Sequence, residues 1–242
     1  MKKGKLIVLL SLFAGMALTS CLSSSDTTKQ ISGDASIEIK ANVVGQTTTY
    51  LYAPTFYVQS TFAATKAIAY LKNDPSVSYN LTTLNAGGTL WSYVPASTEY
   101  KETKPTEGDY IFKVKFTDGD SLLTTDLLSS SIIYPVTSVT ATWANASYKV
   151  DWVKDGSHTA SLYAVRVYDS SNRMVFASPQ ISSTTFTYTF SANTSGWATA
   201  FYPTSGSQYT LEVTSYQYDD PSDTSSGIQA IARELLPITW GQ

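Results

Sequence analysis

The sequence predicts an all-β chain folded as two tandem β-sandwiches, and three observations support that prediction. From Ile37 onward, short runs alternating apolar and polar residues recur between clusters of Gly, Asp, Asn and Ser, the pattern of half-buried strands joined by turns. Ser and Thr supply 66 of the 242 residues and aromatic side chains 13%, a composition that suits strands better than helices. Hydrophobic residues reach 43% against 14% charged, ample for packed cores, and the length accommodates two ordinary domains. Charge then narrows the partners. The net charge is −3, and the first twenty residues hold three lysines and no acid, so the remainder has 13 basic against 19 acidic groups. That balance disfavours nucleic acid. A single Cys and a single His exclude a disulfide within the chain and a Cys/His metal site.

The first residues set the compartment. Lys2, Lys3 and Lys5 precede an apolar run from Leu6 to Leu18. That run is too short to span a bilayer, which needs roughly twenty residues, and it reads as the hydrophobic region of a signal peptide over 1–20. The segment ends Leu18-Thr19-Ser20-Cys21, which resembles the bacterial lipobox. The resemblance implies cleavage before Cys21, diacylglycerol on its thiol and three acyl chains in all, an attachment that two or more chains make stable. Leu22 stands where the family places Asp for inner-membrane retention, which points to the outer membrane of a bacterial envelope. Residues 21–35 are polar and aperiodic and read as a flexible tether behind the lipidated Cys.

Tyr134-Pro135 divides the chain beyond the tether into domains at 36–134 and 135–242, because Pro stops a preceding ladder. In the second, Tyr148, Val150 and Trp152 share a face; Tyr163, Val165 and Val167 form another strand; Tyr209, Leu211 and Val213 alternate with Thr210, Glu212 and Thr214. A Trp strand followed by two Tyr-led strands resembles a fibronectin type III domain. The resemblance implies that Trp152 packs in the core and that Tyr209 forms a corner at the start of a late strand. It also makes 161–168 and 208–216 antiparallel neighbours, with Arg166 and Glu212 paired on a solvent face. The Ala-rich segment Ile228 to Ala232 and the long 191–207 loop depart from the family pattern.

The first domain resembles an immunoglobulin-like sandwich. Ile37, Ile39, Ala41 and Val43 open it, and Tyr110, Phe112, Val114 and Phe116 form a half-buried strand before an Asp118-Gly119 hairpin turn. Phe62 to Lys72 fits either a short helix or a strand, and strand is preferred.

Catalytic chemistry is not legible. His158 stands alone in a loop, and no G-x-S-x-G elbow accompanies it. Asp118/Asp120 and Asp219/Asp220/Asp223 are carboxylate clusters of the kind glycoside hydrolysis needs, but both fall in turns, where Asp bonds its own backbone. The 219–223 loop has oxygen ligands suited to calcium but lacks EF-hand spacing, so no metal and no cofactor are expected. Asn80, Asn145 and Asn193 match glycosylation sequons, and Asp120-Ser121-Leu122 resembles an O-glycosylation acceptor of some Gram-negative envelope proteins.

Aromatic residues are the one functional excess, with 17 Tyr and 5 Trp. Tyr216 and Tyr218 continue the polar face of their strand and are expected to point outward. Trp197, Phe201 and Tyr202 lie in the 191–207 loop, and Trp91 follows a Gly-Gly turn. Exposed rings among polar neighbours suit sugar stacking or protein contact. The sequence therefore predicts a non-catalytic lipoprotein of the outer membrane that binds or adheres to glycan or an envelope protein. A structural spacer or complex subunit is the alternative, and a glycoside hydrolase the remote one.

Overall fold

The alternating runs become strands. The computed structural model describes residues 28–44, 47–129, 132–154, 156, 159–220, 223 and 226–242; Cys21 and His158 lie outside them. The first unit contains β1 (Ile31–Val44), β2 (Thr47–Ser60), β3 (Ala64–Leu71), β4 (Asp74–Thr83), β5 (Leu90–Tyr93), β6 (Gly108–Phe116) and β7 (Ser121–Leu128). The second contains β8 (Thr137–Ala144), β9 (Ser147–Val153), β10 (Leu162–Tyr168), β11 (Met174–Ala177), the two-residue β12 (Ile181–Ser182), β13 (Thr187–Ser191), β14 (Gln208–Tyr218) and β15 (Ile228–Thr239).

Both units use one plan. In the first, β1, β2 and β5 face β4, β3, β6 and β7, with a short β4–β5 ladder joining the layers. In the second, β8, β9 and β13 face β11, β10, β14 and β15. Three strands over four, in this order, is a fibronectin type III-like sandwich. The roles carried over from that family fall where expected. Trp152 is 3% exposed in the second core, and the Tyr209 hydroxyl accepts the Thr204 amide at 3.1 Å. The first unit repeats the device, with Tyr110 opening β6 and donating to the Thr106 carbonyl at 3.0 Å. One sequence expectation needs adjusting: residues 31–35, read as tether, already belong to β1. Phe62 to Lys72 holds strand β3, the preferred reading of that segment.

The two sandwiches are fused rather than strung together. β15 pairs with β14 along its length, and its first residues also pair in parallel with β1, Ile37 opposite Ala230 through Lys40 opposite Arg233. Ala230 and Ala232 are fully buried in the first core, whereas Ile238 and Trp240 are buried in the second. The Ala-rich segment is thus the strand that both cores share. Short side chains allow it to lie against the crowded face of β1.

The opposite face of this seam holds a chain of buried charges. Lys40 lies 3.6 Å from Glu38 and 3.8 Å above the Tyr100 ring, and the Tyr100 hydroxyl donates to Glu38. Arg233 pairs with Glu38 at 2.9 Å and with Glu212 at 3.3 Å. Glu212 pairs with Arg166 at 2.9 Å and accepts the Thr214 hydroxyl at 2.6 Å, while Arg166 also donates to Tyr216. The predicted register, Arg166 opposite Glu212, is found, but the predicted exposure is not. Arg166 is 4% and Glu212 2% exposed. Alternation told which side of the strand is polar, and fusion with the first unit then covered that side. Burial opposes ionisation of Glu212, but Arg233 and Arg166 outweigh it and hold its carboxyl at about 2.

Two substitutions probe this packing. Trp152→Ala should cost about 3–5 kcal/mol in urea unfolding, as a truncation of a packed core ring. Glu212→Ala should cost about 3–5 kcal/mol by leaving two arginines buried without their carboxylate. Because the folded carboxyl lies below its ordinary value, its stabilisation is complete above about pH 4.5 and is lost as pH falls toward 2. Urea midpoints at pH 7 and pH 3 should therefore differ more in the wild type than in Glu212→Gln.

Candidate functional site

The expected aromatic residues separate into three groups. Tyr216 and Tyr218 are 2% and 3% exposed, so the expectation that they face solvent is corrected. They pack with Leu162, Ala164, Ile228 and Ile231 on the seam face, and Tyr218 bonds Gln180. Trp91 is also buried, with Nε1 donating to the Gly88 carbonyl at 2.9 Å.

Trp197 and Phe201 are half-buried at the end of the second sandwich. The 196–198 segment pairs with the β11 edge through Ala177 N to Gly196 O at 3.0 Å and Ala198 N to Val175 O at 2.8 Å. Gly196 makes this possible. Its φ is +116°, and a Cβ there would lie 2.1 Å from the Ala177 carbonyl oxygen. Trp197 then meets Phe176 at 4.9 Å and Trp240 edge-on at 5.4 Å, with Phe201 stacked on it at 5.7 Å. Trp197 Nε1 donates to the Ser191 carbonyl, and the Arg173 guanidinium sits 5.8 Å from the Phe201 centroid. One ring stands clear of this cluster: Tyr202, 79% exposed, next to Phe201. Trp197 and Phe201 thus form a packed platform edge, and Tyr202 projects from it.

The acidic residues sort differently. Lys29 forms ion pairs with Asp118 and Asp120 across the predicted β6–β7 turn, at 2.5 Å for Asp120. Its hydrogen bond holds the Asp118 carboxyl below the ordinary range. Asp219 finds partners that the sequence did not indicate. Oxygens of Asp34 on β1, Asp126 on β7 and Asp219 after β14 all lie within 4.8 Å of one another. Asp34 accepts the Ile228 amide at 3.0 Å, and Asp126 accepts the Ala35 amide at 2.7 Å. Gly227 gives the room. A Cβ on it would lie 2.3 Å from Asp34 Oδ1 and 2.4 Å from Asp219 Oδ2.

Burial, and then the charges of Asp126 and Asp219, push the Asp34 carboxyl well above its ordinary value. Burial raises Asp126 as well, and burial together with Asp126 raises Asp219 to about 6. Beside the cluster is a cleft of about 310 Å³ lined by Asp126, Asp219, Tyr218 and Gln229 among others. Nothing in the spacing pointed to this cluster, because its members are about ninety residues apart in sequence. The only available signal was that Asp34 shares its strand face with Glu38.

No protein-family model matches the chain, and no curated protein sequence does. Among solved structures, the FN1–FN3 domains of chicken CNTN1 superpose with a TM-score of 0.31 and 13% identity, covering 87% of this chain and 67% of that one. A two fibronectin type-III domain segment from chicken tenascin gives a TM-score of 0.31 and 10% identity, covering 85% and 99%. Neither superposition bears weight beside the strand order itself.

The packing separates the rings experimentally. Trp197→Ala should destabilise the protein by more than about 1 kcal/mol, because it opens a ring cluster. Tyr202→Ala should stay within about 0.5 kcal/mol of wild type. Thermal and urea unfolding of the two variants checks both values.

Proposed function

We propose that this chain is a non-catalytic binding or adhesion module of the bacterial outer membrane, anchored through a lipidated Cys21. It contacts glycan or a protein partner at the Trp197, Phe201 and Tyr202 end. The observation that carries this reading is the direction of the seam. β1 and β15 run parallel, so the start of β1 and the end of β15 point to opposite ends of the molecule. Lys29 lies eleven residues below Lys40, and Trp240 lies seven above Arg233. At ~3.3 Å per residue, the tether exit and the aromatic end are about 60 Å apart. A domain held at its foot would thus present Tyr202 away from the membrane, with apolar area on few rotors beside hydroxyl-bearing Thr204 and Ser205.

A spacer or envelope-complex subunit is the second reading, favoured by the Arg233–Glu38 ion pair and the parallel ladder that join the two sandwiches. A glycan-array screen of the purified protein with Tyr202→Ala as control discriminates between them. Binding abolished by a substitution that leaves stability intact supports the module. A blank array, with cross-links to a neighbouring envelope protein in intact cells, supports the spacer. For the anchor, Cys21→Ser should move the protein from the membrane to the soluble fraction. Persistence with membranes would overturn that part of the reading.

A further inference from the structure

The outer face of the first sandwich carries an arrangement that the aromatic end does not explain. Lys66 on β3 stands directly opposite Lys115 on β6, and Lys113 lies two residues away on the same face of β6. All three are exposed, and none has a carboxylate partner among the described residues. Like charges directly opposed across a ladder destabilise it. Beyond its first twenty residues the chain has 13 basic against 19 acidic groups, so this face reverses the sign of the whole. Cations concentrated against the net charge of a molecule fit an anionic partner.

Position selects the partner. Lys115 precedes Phe116, the last residue of β6, and the turn beyond it holds Asp118 and Asp120 against Lys29. Lys66 lies two residues inside β3, and the link from β2 to β3 meets the entry of the chain, with Thr61 N donating to Gln30 O at 3.0 Å. In that link Phe62 is 40% exposed. Leu123, 60% exposed, stands opposite Lys113 and adds apolar area beside the charge. The lysines and the ring thus share the corner from which the chain leads to Cys21. Seven residues separate Cys21 from Thr28 and span at most about 25 Å, so an acylated Cys21 keeps this corner near the lipid.

We propose that this corner docks on anionic lipid headgroups, with Lys66, Lys113 and Lys115 meeting their phosphates and Phe62 entering the interface. This rests on the Cys21 anchor and goes beyond it. Acyl chains hold a protein to a membrane without setting which side of it faces the lipid, and the lysines set that side. Each basic side chain near an anionic surface favours contact about fivefold. The effect fades over a Debye length of about 8 Å, and two residues of strand place Lys113 only about 7 Å above Lys115. Asp118 and Asp120 at the same corner share Lys29, which offsets part of their repulsion from the lipid. Docked this way, the molecule keeps Tyr202 directed away from the membrane.

The test uses the lipidated protein with vesicles of phosphatidylcholine alone or with about a third phosphatidylglycerol, which supplies the negative surface. Flotation on phosphatidylcholine reports the acyl anchor. Acetylation of lysines by a water-soluble reagent, read by mass spectrometry, reports the docking. Expected is flotation on both vesicles, with Lys66, Lys113 and Lys115 acetylated about threefold or more slowly on the anionic ones. Lys149 and Lys154 of the second sandwich should react equally on both, and roughly 0.5 M salt should remove the difference at the three lysines. Lys66→Glu turns the opposed pair into an ion pair. It should unfold at a temperature no lower than wild type, yet lose the protection of Lys113 and Lys115. Equal acetylation on both vesicles would overturn the docking and leave the anchor standing. Failure to float on phosphatidylcholine would overturn the anchor, with flotation on anionic vesicles alone still supporting the face and flotation on neither overturning both. Protection in intact envelopes without lipid dependence, joined to a cross-link from Lys113 to an acidic protein, would overturn the lipid assignment in favour of that protein.

Discussion

The short parallel ladder between β1 and β15, with the ion chain beneath it, is the interaction on which the rest of the molecule depends. Four paired positions of parallel strand are a modest bond in themselves. Their strength lies in what the two faces demand together. On one side Ala230 and Ala232 must enter the first core, and on the other Arg233 must reach both Glu38 and Glu212. A slip of one residue would drive Arg233 into apolar packing and leave two carboxylates buried without it. The charges add specificity of register more than raw stability, because each carboxylate touches two cations and each cation is desolvated. Lys40 and Tyr100 close the chain at one end, and Arg166 and Tyr216 close it at the other.

Fixing that register also fixes the ends of the molecule. β15 begins beside the Asp34 cluster and ends at Thr239, one residue before Trp240, whose ring meets Trp197. A single strand therefore links the acidic cleft to the aromatic platform, and both are positioned by the same ladder. The loops at the two ends differ in how they are held. Trp197 is locked by ring contacts and a hydrogen bond to Ser191, whereas the Asp219 end closes through its backbone N–H, which donates to the Gly227 carbonyl.

Much of the fold was legible because it is local. Tyr209, Leu211 and Val213 alternate over a core, and period-two alternation is a property of one strand alone. The pairing of Arg166 with Glu212 was also legible, since it derives from strand order. What the sequence hid is what covers a face. Glu212, Tyr216 and Tyr218 sit on the polar side of β14, and polarity was read as exposure. The groups that meet this face come from β10 and β15, with Glu38 of β1 joined through Arg233, and no pattern within β14 reports them. Ala230 and Ala232 were similarly opaque, because small residues at a seam resemble the weak signal of a poor strand. Of the candidate site, the loop aromatics were visible by composition. The Asp34, Asp126 and Asp219 cluster exists only through topology.

The pairing of the first strand with the last also bears on the order in which the chain assembles. The first sandwich can collect its seven strands early, yet the β1 edge at Ile37 to Lys40 stays unpaired until Ala230 to Arg233 arrives, 193 residues later. Until then Glu38 lacks Arg233, and an open strand edge is displayed, the feature that invites pairing between chains. Contacts this far apart in sequence close slowly, because loop entropy is lost before they form. A chain synthesised from its N-terminus would thus remain an unlocked intermediate until β15 emerges and pairs with β1.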